Sequence, residues 1–198
     1  MGNKFLEFLR NIFDKYKLYS QITDISSISR RYFVIGYFDG VLTIMGLVVG
    51  AHLSGEISNT LIISAGFATA LALAVSSGFG AYEAEIIEQS IRIKELEKAM
   101  LCEVGGVIET AHKVAIYTSA LVHAIAPLIG ALIPLIPYII LPASIAYYDS
   151  LAIGFLSLFA VGFSFGRLSS TNVILAGLKF VLAGIITLIV IIVLNPVH

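Results

Sequence analysis

One acidic residue lies inside a run of apolar residues that is long enough to cross a lipid bilayer. Asp39 stands near the middle of residues 32–53, YFVIGYFDGVLTIMGLVVGAHL. A carboxylate at the centre of a bilayer costs about 3 kcal/mol even on lenient insertion scales. A partner, a water-filled cavity or an ion usually offsets such a cost. We therefore expect Asp39 to bind an ion. The alternative is a structural Asp39 bonded to hydroxyls such as those of Thr43 or Thr69.

A second group of candidate ligands lies in the charged segment at residues 83–113. Four glutamates would share an arc of about 80° if one helix ran unbroken through them: Glu85, Glu88, Glu95 and Glu103. Glu109 and His112 form an E-x-x-H pair, a spacing found in carboxylate metal sites of helical bundles. Oxygen ligands with one imidazole suit Mn²⁺ or Fe²⁺. An ordinary solvated face of ion pairs fits the same residues, and the sequence leaves both interpretations open.

The composition is that of a membrane protein. Of the 198 residues 58% are hydrophobic and only 13% are charged, with a mean hydropathy of +0.96, whereas soluble domains have about 25% charged residues. A net charge of −1 without a basic run argues against a nucleic-acid partner. No nucleophile–base pair or HExxH motif lies in the apolar runs, so we do not expect an enzyme.

Five stretches reach the length of about 20 mostly apolar residues that a membrane span needs: 32–53, 58–82, 114–140, 143–166 and 173–195. The expected fold is therefore an all-α, polytopic membrane protein. Its predicted regions are an N-terminal segment at 1–30, two spans within 31–82, a cytosolic charged segment at 83–113 that continues the second helix, and three spans within 114–198. Prolines in and after the third span, including Pro127 and Pro142, predict that this helix kinks or ends early.

The positive charges predict an orientation. Ten of the twelve Lys and Arg residues lie before the first span or between the second and third. The positive-inside rule places the N-terminus and the charged segment in the cytosol and the C-terminus outside, in the cell membrane if the source is a prokaryote. In residues 3–19 apolar side chains recur at helical spacing, with charged side chains between them. They predict an amphipathic helix that lies either on the cytosolic leaflet or against the protein itself.

Small residues share the helix face of Asp39. Gly36, Gly40, Gly46 and Gly50 fall with it in an arc of about 120°, and small residues let membrane helices approach closely. We expect the second span to be the packing partner, because it is rich in small and hydroxyl side chains that include Thr69, Ser76 and Ser77.

Three segments resemble the vacuolar iron transporter family. Gly36-Tyr-Phe-Asp39-Gly40-Val-Leu-Thr43, followed by Val48-Val-Gly50-Ala, resembles its first-helix signature. Ala74-Val-Ser76-Ser-Gly78-Phe-Gly80-Ala-Tyr82 resembles the end of its second helix, and Ile133-Pro-Leu-Ile-Pro137-Tyr138 the exit of its third. The chain is similar to a prokaryotic-type member with a short cytosolic metal-binding segment.

The resemblance implies five membrane helices and a homodimer with the ion path at the subunit interface. It implies a transporter that moves Fe²⁺ or Mn²⁺ out of the cytosol in exchange for protons, with the metal as transported ion and no tightly bound cofactor. Asp39 would be a path ligand and proton site. Hydroxyl side chains would line the path with it: Thr43, Thr69, Ser76 and Ser77.

Two positions depart from the family pattern. Ser77 stands where members commonly have methionine, and Thr69 aligns with an acidic residue of plant members. Losing a sulfur and a carboxylate shifts the path toward hard oxygen ligands. The alternative function is a membrane scaffold or metal sensor that keeps the fold without transport.

Overall fold

The computed structural model describes residues 2–55, 58–169 and 171–194, and in the first helix the side chains of residues 7, 10 and 14 onward. The described residues form six helices and no strand: α1 (Gly2–Thr23), α2 (Ile25–Leu53), α3 (Asn59–Met100), α4 (Val107–Ile140), α5 (Ala143–Leu168) and α6 (Val173–Leu194). Helices α2 to α6 are long and apolar enough to cross a membrane. The predicted all-α class with five spans is confirmed.

The second membrane helix continues well beyond its apolar part. Helix α3 has 42 residues, and the Ser58 side chain caps its start by accepting a hydrogen bond from the Leu61 N–H. It ends at Met100, where Leu101 adopts a left-handed conformation with φ 55°. The predicted continuation of this helix is confirmed. The shared arc of four glutamates is wrong for Glu103, because that residue lies in the turn after the helix has ended.

Helix α4 runs without a break through three prolines: Pro127, Pro134 and Pro137. Of the two expected effects of the prolines, a kink or an early end, the early end is wrong, because the helix continues to Ile140 and neighbouring side chains bond carbonyls along its last turns. The Tyr138 carbonyl would normally pair with the N–H of residue 142, which is a proline. It accepts instead from Asn59 Nδ2 at 2.9 Å, and the same amide donates to the Leu141 carbonyl at 2.8 Å.

Helix α4 is the centre of the bundle and packs against α2, α3, α5 and α1. A Cβ at Gly40 would meet the Pro127 carbonyl, and one at Gly130 would meet the Tyr37 carbonyl. The glycine-rich face of α2, which includes Gly36 and Gly40, therefore packs against α4. The prediction that this face packs against the second span is wrong. Helix α4 carries small residues at the contact with α2, and α3 packs chiefly on α4.

Two hydrophobic clusters fill the bundle. One joins α2, α3, α4 and α5 around Ile44, Ile62 and Leu135. The other joins α2, α4, α5 and α6 around Met45, Leu158 and Leu188. Helix α1 packs against α4 and α2, which favours the packed alternative for the N-terminal helix. Most of its predicted apolar side chains lie outside the described residues.

Candidate ion-binding site

Asp39 lies half-buried on α2. Among the described residues, none forms a hydrogen bond or an ion pair with its carboxylate. Thr69, a predicted structural partner, donates its hydroxyl hydrogen to the Ala65 carbonyl of its own helix at 2.7 Å. The structure therefore gives no support to an Asp39 that is held by threonine hydroxyls.

The imidazole of His123 on α4 is the titratable group that interacts electrostatically with Asp39. His123 Nδ1 lies 2.8 Å from the Tyr32 carbonyl oxygen. Since a carbonyl can only accept, Nδ1 carries the proton and Nε2 is left as an acceptor when the ring is neutral. A Cβ at Gly36 would lie 3.0 Å from Nδ1, so the glycine provides room for this ring. The sequence placed a lone histidine in the third span but contained no signal that would pair it with Asp39.

The four predicted path hydroxyls are dispersed within one subunit. Thr43 follows Asp39 by about one turn and is half-buried on the same helix. Thr69 and Ser77 are half-buried on α3, whereas Ser76 is exposed there. Because α3 packs chiefly on α4, the subunit brings none of these hydroxyls into a hydrogen bond with the Asp39 carboxylate in the part of the chain described.

The predicted cytosolic ligands do not converge either. Glu88 Oε1 pairs with Arg92 Nε at 3.1 Å and Glu109 Oε1 with Lys113 Nζ at 2.7 Å, both as exposed pairs one turn apart on a helix. Glu95 and Glu103 are exposed. No group of three or more His, Cys, Asp or Glu residues that could hold a metal ion occurs among residues 2–55, 58–169 and 171–194.

Glu85 and His112 belong instead to a buried polar chain that sequence reasoning missed. His112 Nδ1 lies 2.6 Å from Gln89 Oε1, and Gln89 Nε2 donates to Glu85 Oε2 at 2.8 Å. The exposed fractions are 1% for Glu85, 1% for Gln89 and 4% for His112. This buried polar chain joins α3 to the first turns of α4. Its one sequence signal is the i, i+4 spacing of Glu85 and Gln89.

The polar chain sets the tautomer of His112. An amide oxygen only accepts, so Nδ1 donates to Gln89 and Nε2 keeps a lone pair in the neutral ring. That Nε2 is buried and has no hydrogen-bond partner among the described residues. The imidazole is therefore oriented from one side and unsatisfied on the other.

Comparison with known proteins places this arrangement in a family. A model of the VIT family matches residues 30–101 and, in a second match, residues 83–194. The chain belongs to the VIT family. The two matches together run from residue 30 to residue 194 and cover all or most of each helix able to cross a membrane. Membership in the VIT family supports metal transport as the function at family level.

Two relatives agree with the VIT-family assignment. An uncharacterized protein of Methanocaldococcus jannaschii, MJ0645, is 32% identical over 155 residues, which covers 76% of this chain and 80% of that protein. Vacuolar iron transporter 1 of Tulipa gesneriana is 25% identical over 198 residues, with 76% of this chain and 79% of the tulip protein covered.

Proposed function

We propose that this chain is a transporter that moves Fe²⁺ or Mn²⁺ out of the cytosol in exchange for protons. The observation that carries the proposal is Asp39, a half-exposed carboxylate in a membrane-spanning helix without a hydrogen bond or ion pair in the described residues. An unpaired carboxylate is costly at that depth. A divalent cation supplies the missing counter-charge, and the family supports a metal as the cargo.

The proton exchange follows from the same carboxylate. A nearby cation favours the ionised form of an acid. When Asp39 is protonated in the metal-free state, binding of the metal releases that proton. When the metal leaves, the uncompensated charge favours uptake of a new proton. One group thus serves the metal and the proton alternately, which is the basis of an antiport.

A homodimer would complete the ligand set. One carboxylate is too few for Mn²⁺ or Fe²⁺, which take about six ligands in octahedral oxygen sites. A second copy facing α2 would bring a second Asp39 to the same point, and Thr43, Thr69, Ser76 and Ser77 would add oxygen atoms at the interface. Asp39 and Thr43 are each partly exposed in the single subunit, so a second copy can reach them.

The charged segment would collect the cation before it enters the membrane. Glu88, Glu95 and Glu103 are solvent-exposed and raise the local concentration of cations. Metal binding by Glu109 requires exchange of its ion pair with Lys113. Binding by Glu85 or His112 requires a change in the bonds to Gln89.

A metal sensor or scaffold is the second candidate function. Ser77 and Thr69 favour it, because these hydroxyls stand where a softer sulfur and a carboxylate are expected from the family pattern. Both functions allow metal binding, so a binding measurement does not separate them. Only transmembrane flux of the metal does.

The decisive experiment is metal flux into proteoliposomes that contain the full chain. We expect Asp39→Asn to abolish uptake of Mn²⁺ and Fe²⁺, because the amide keeps the volume but neither binds the cation strongly nor exchanges a proton. Asp149→Asn, the same change on α5, is the control and should retain uptake. Undiminished flux in Asp39→Asn would remove the mechanism. Absence of flux in the unaltered protein would favour the sensor or scaffold.

A further inference from the structure

A groove runs along the surface where the N-terminal half of α2 approaches the end of α5 and the beginning of α6. Two adjoining cavities of about 400 and 330 Å³ form it, and Val34 lines both. The walls are mostly apolar and include Phe33, Phe38, Phe165, Phe180 and Ala183. The groove is open along its length, so a flexible chain can lie in it.

Basic side chains line the same groove and the cavities beside it. Lys179 of α6 lines the smaller cavity together with Val34, Ile35 and Phe180, and it lies inside a helix otherwise apolar enough to cross a membrane. Arg30 lines the larger cavity, and both Arg30 and Arg31 line the next one along. Lys179 lies well over 100 residues after Arg30 and Arg31 in the sequence, and the fold brings the three cations to one region.

None of these three cations has a carboxylate within 4.0 Å among the described residues. Arg30 Nε donates to the Ser26 carbonyl at 3.2 Å, and the Arg31 guanidinium lies 5.5 Å from the centre of the Tyr32 ring. A lysine in an apolar helix is costly unless its ammonium reaches water or an anion. The groove therefore combines apolar walls with unpaired positive charge.

We propose that the groove binds an anionic phospholipid. The acyl chain packs along Phe38, Phe180 and Ala183, and the phosphate is the counter-ion of Lys179, with Arg30 and Arg31 around the headgroup. Basic pockets between membrane helices are a known means of recognising acidic headgroups. Inorganic phosphate would gain nothing from the apolar walls. A second copy of the chain presents a chiefly apolar surface and would bury Lys179 without a counter-charge.

The test is native mass spectrometry of the full chain, purified in detergent and titrated with phosphatidylglycerol or phosphatidylcholine of the same acyl chains. We expect phosphatidylglycerol to be retained and phosphatidylcholine to be lost. Lys179→Gln should weaken retention about fivefold and Lys179→Gln with Arg30→Gln about 25-fold, since each cation near an anionic headgroup contributes about 1 kcal/mol. Lys94→Gln on the exposed surface of α3 should change nothing.

Two further variants distinguish the contribution of charge to lipid retention from the contribution of the apolar groove. Lys179→Arg keeps the charge and should keep the lipid. Ala183→Phe fills the groove without changing any charge and should lower retention of phosphatidylglycerol. Circular dichroism and a monodisperse elution profile establish that each variant is folded.

Four outcomes would overturn the proposal. The first is equal retention of the two lipids, and the second is a loss in Lys94→Gln as large as in Lys179→Gln. The third is displacement of the lipid by millimolar inorganic phosphate, which would show a simple anion site. The fourth is loss of a dimer in Lys179→Gln without any bound lipid, which would show that a second copy occupies the groove.

Discussion

Two carboxylates in this protein have opposite environments. Glu85 is almost fully buried and accepts a hydrogen bond from Gln89, which in turn bonds His112. Asp39 is half-buried, and among the described residues it has no hydrogen bond or ion pair, with the His123 imidazole as its electrostatic neighbour. A satisfied acid has a structural explanation, whereas an unsatisfied one inside an apolar helix does not. At the scale of single residues, Asp39 is therefore the functional candidate and Glu85 the structural one.

Gln89 provides the test of that distinction. Gln89→Leu would leave both Glu85 and His112 without their buried partner, and each unsatisfied group costs about 1–3 kcal/mol. We expect a clear fall in the melting temperature in detergent. Gln21→Leu, the same change at an exposed position, should leave it nearly unchanged. Equal melting temperatures for the two variants would show that the buried chain contributes little to stability.

At the scale of helices, α4 is the element that organises the bundle. Its prolines remain within one helix, and the Ser150 hydroxyl donates to the Pro134 carbonyl at 2.7 Å, which joins α4 to α5. Helix α2 packs against the small residues of α4 on one side, and α3 packs against those on the other. Gly78 of α3 lies against Ala124 in the same way as Gly40 of α2 lies against Pro127. Close backbone approach is thus what positions the helix of Asp39.

Gly40→Ala tests this close approach. The new Cβ would meet the Pro127 backbone, and forcing a methyl group into a packed contact costs about 1–3 kcal/mol. Gly80→Ala is the matched control, because a Cβ there meets no atom within 4 Å. Both changes bring the same gain in helix propensity, so their difference isolates the steric term. In thermal unfolding in detergent, Gly40→Ala should have the lower melting temperature. A lower melting temperature for Gly80→Ala would contradict the close packing of Gly40 against α4.

At the scale of the whole molecule, the proposed ion site is incomplete in one subunit. Asp39 and Thr43 are partly exposed on α2, and the described residues contain no group of three or more His, Cys, Asp or Glu residues that could hold a metal ion. A two-fold axis that passes close to Asp39 would place the Asp39 residues of the two copies next to each other. The homodimer is therefore required by the proposed transport mechanism.

Cysteine cross-linking can test the proposed dimer. In a Cys102→Ser background, Thr43→Cys should form a disulfide-linked dimer in membranes under mild oxidation, because Thr43 shares the Asp39 face. Leu156→Cys, on an exposed part of α5 (68% exposed), should remain monomeric on a non-reducing gel. A cross-link at residue 156 without one at residue 43 would place the interface elsewhere and leave Asp39 without a second carboxylate.

Local patterns in the sequence were enough to predict the membrane helices and the acid among them. Span length and hydropathy depend on consecutive residues, so five spans, the continued second helix and the unusual position of Asp39 could be read directly. The end of that second helix could not be read in the same way, and the placement of Glu103 on it was wrong because the helix stops at Met100.

The tertiary structure alone decided which helix faces pack together. Helices α2, α3 and α4 all carry small residues, so the sequence could not show that α4 rather than α3 receives Gly40. It also could not join His112 to Gln89, or Lys179 to Arg30, because these pairs are distant in the chain and meet only after the helices have packed. Helix formation is a local property of the chain, whereas ligand sets and grooves depend on the docking of whole faces.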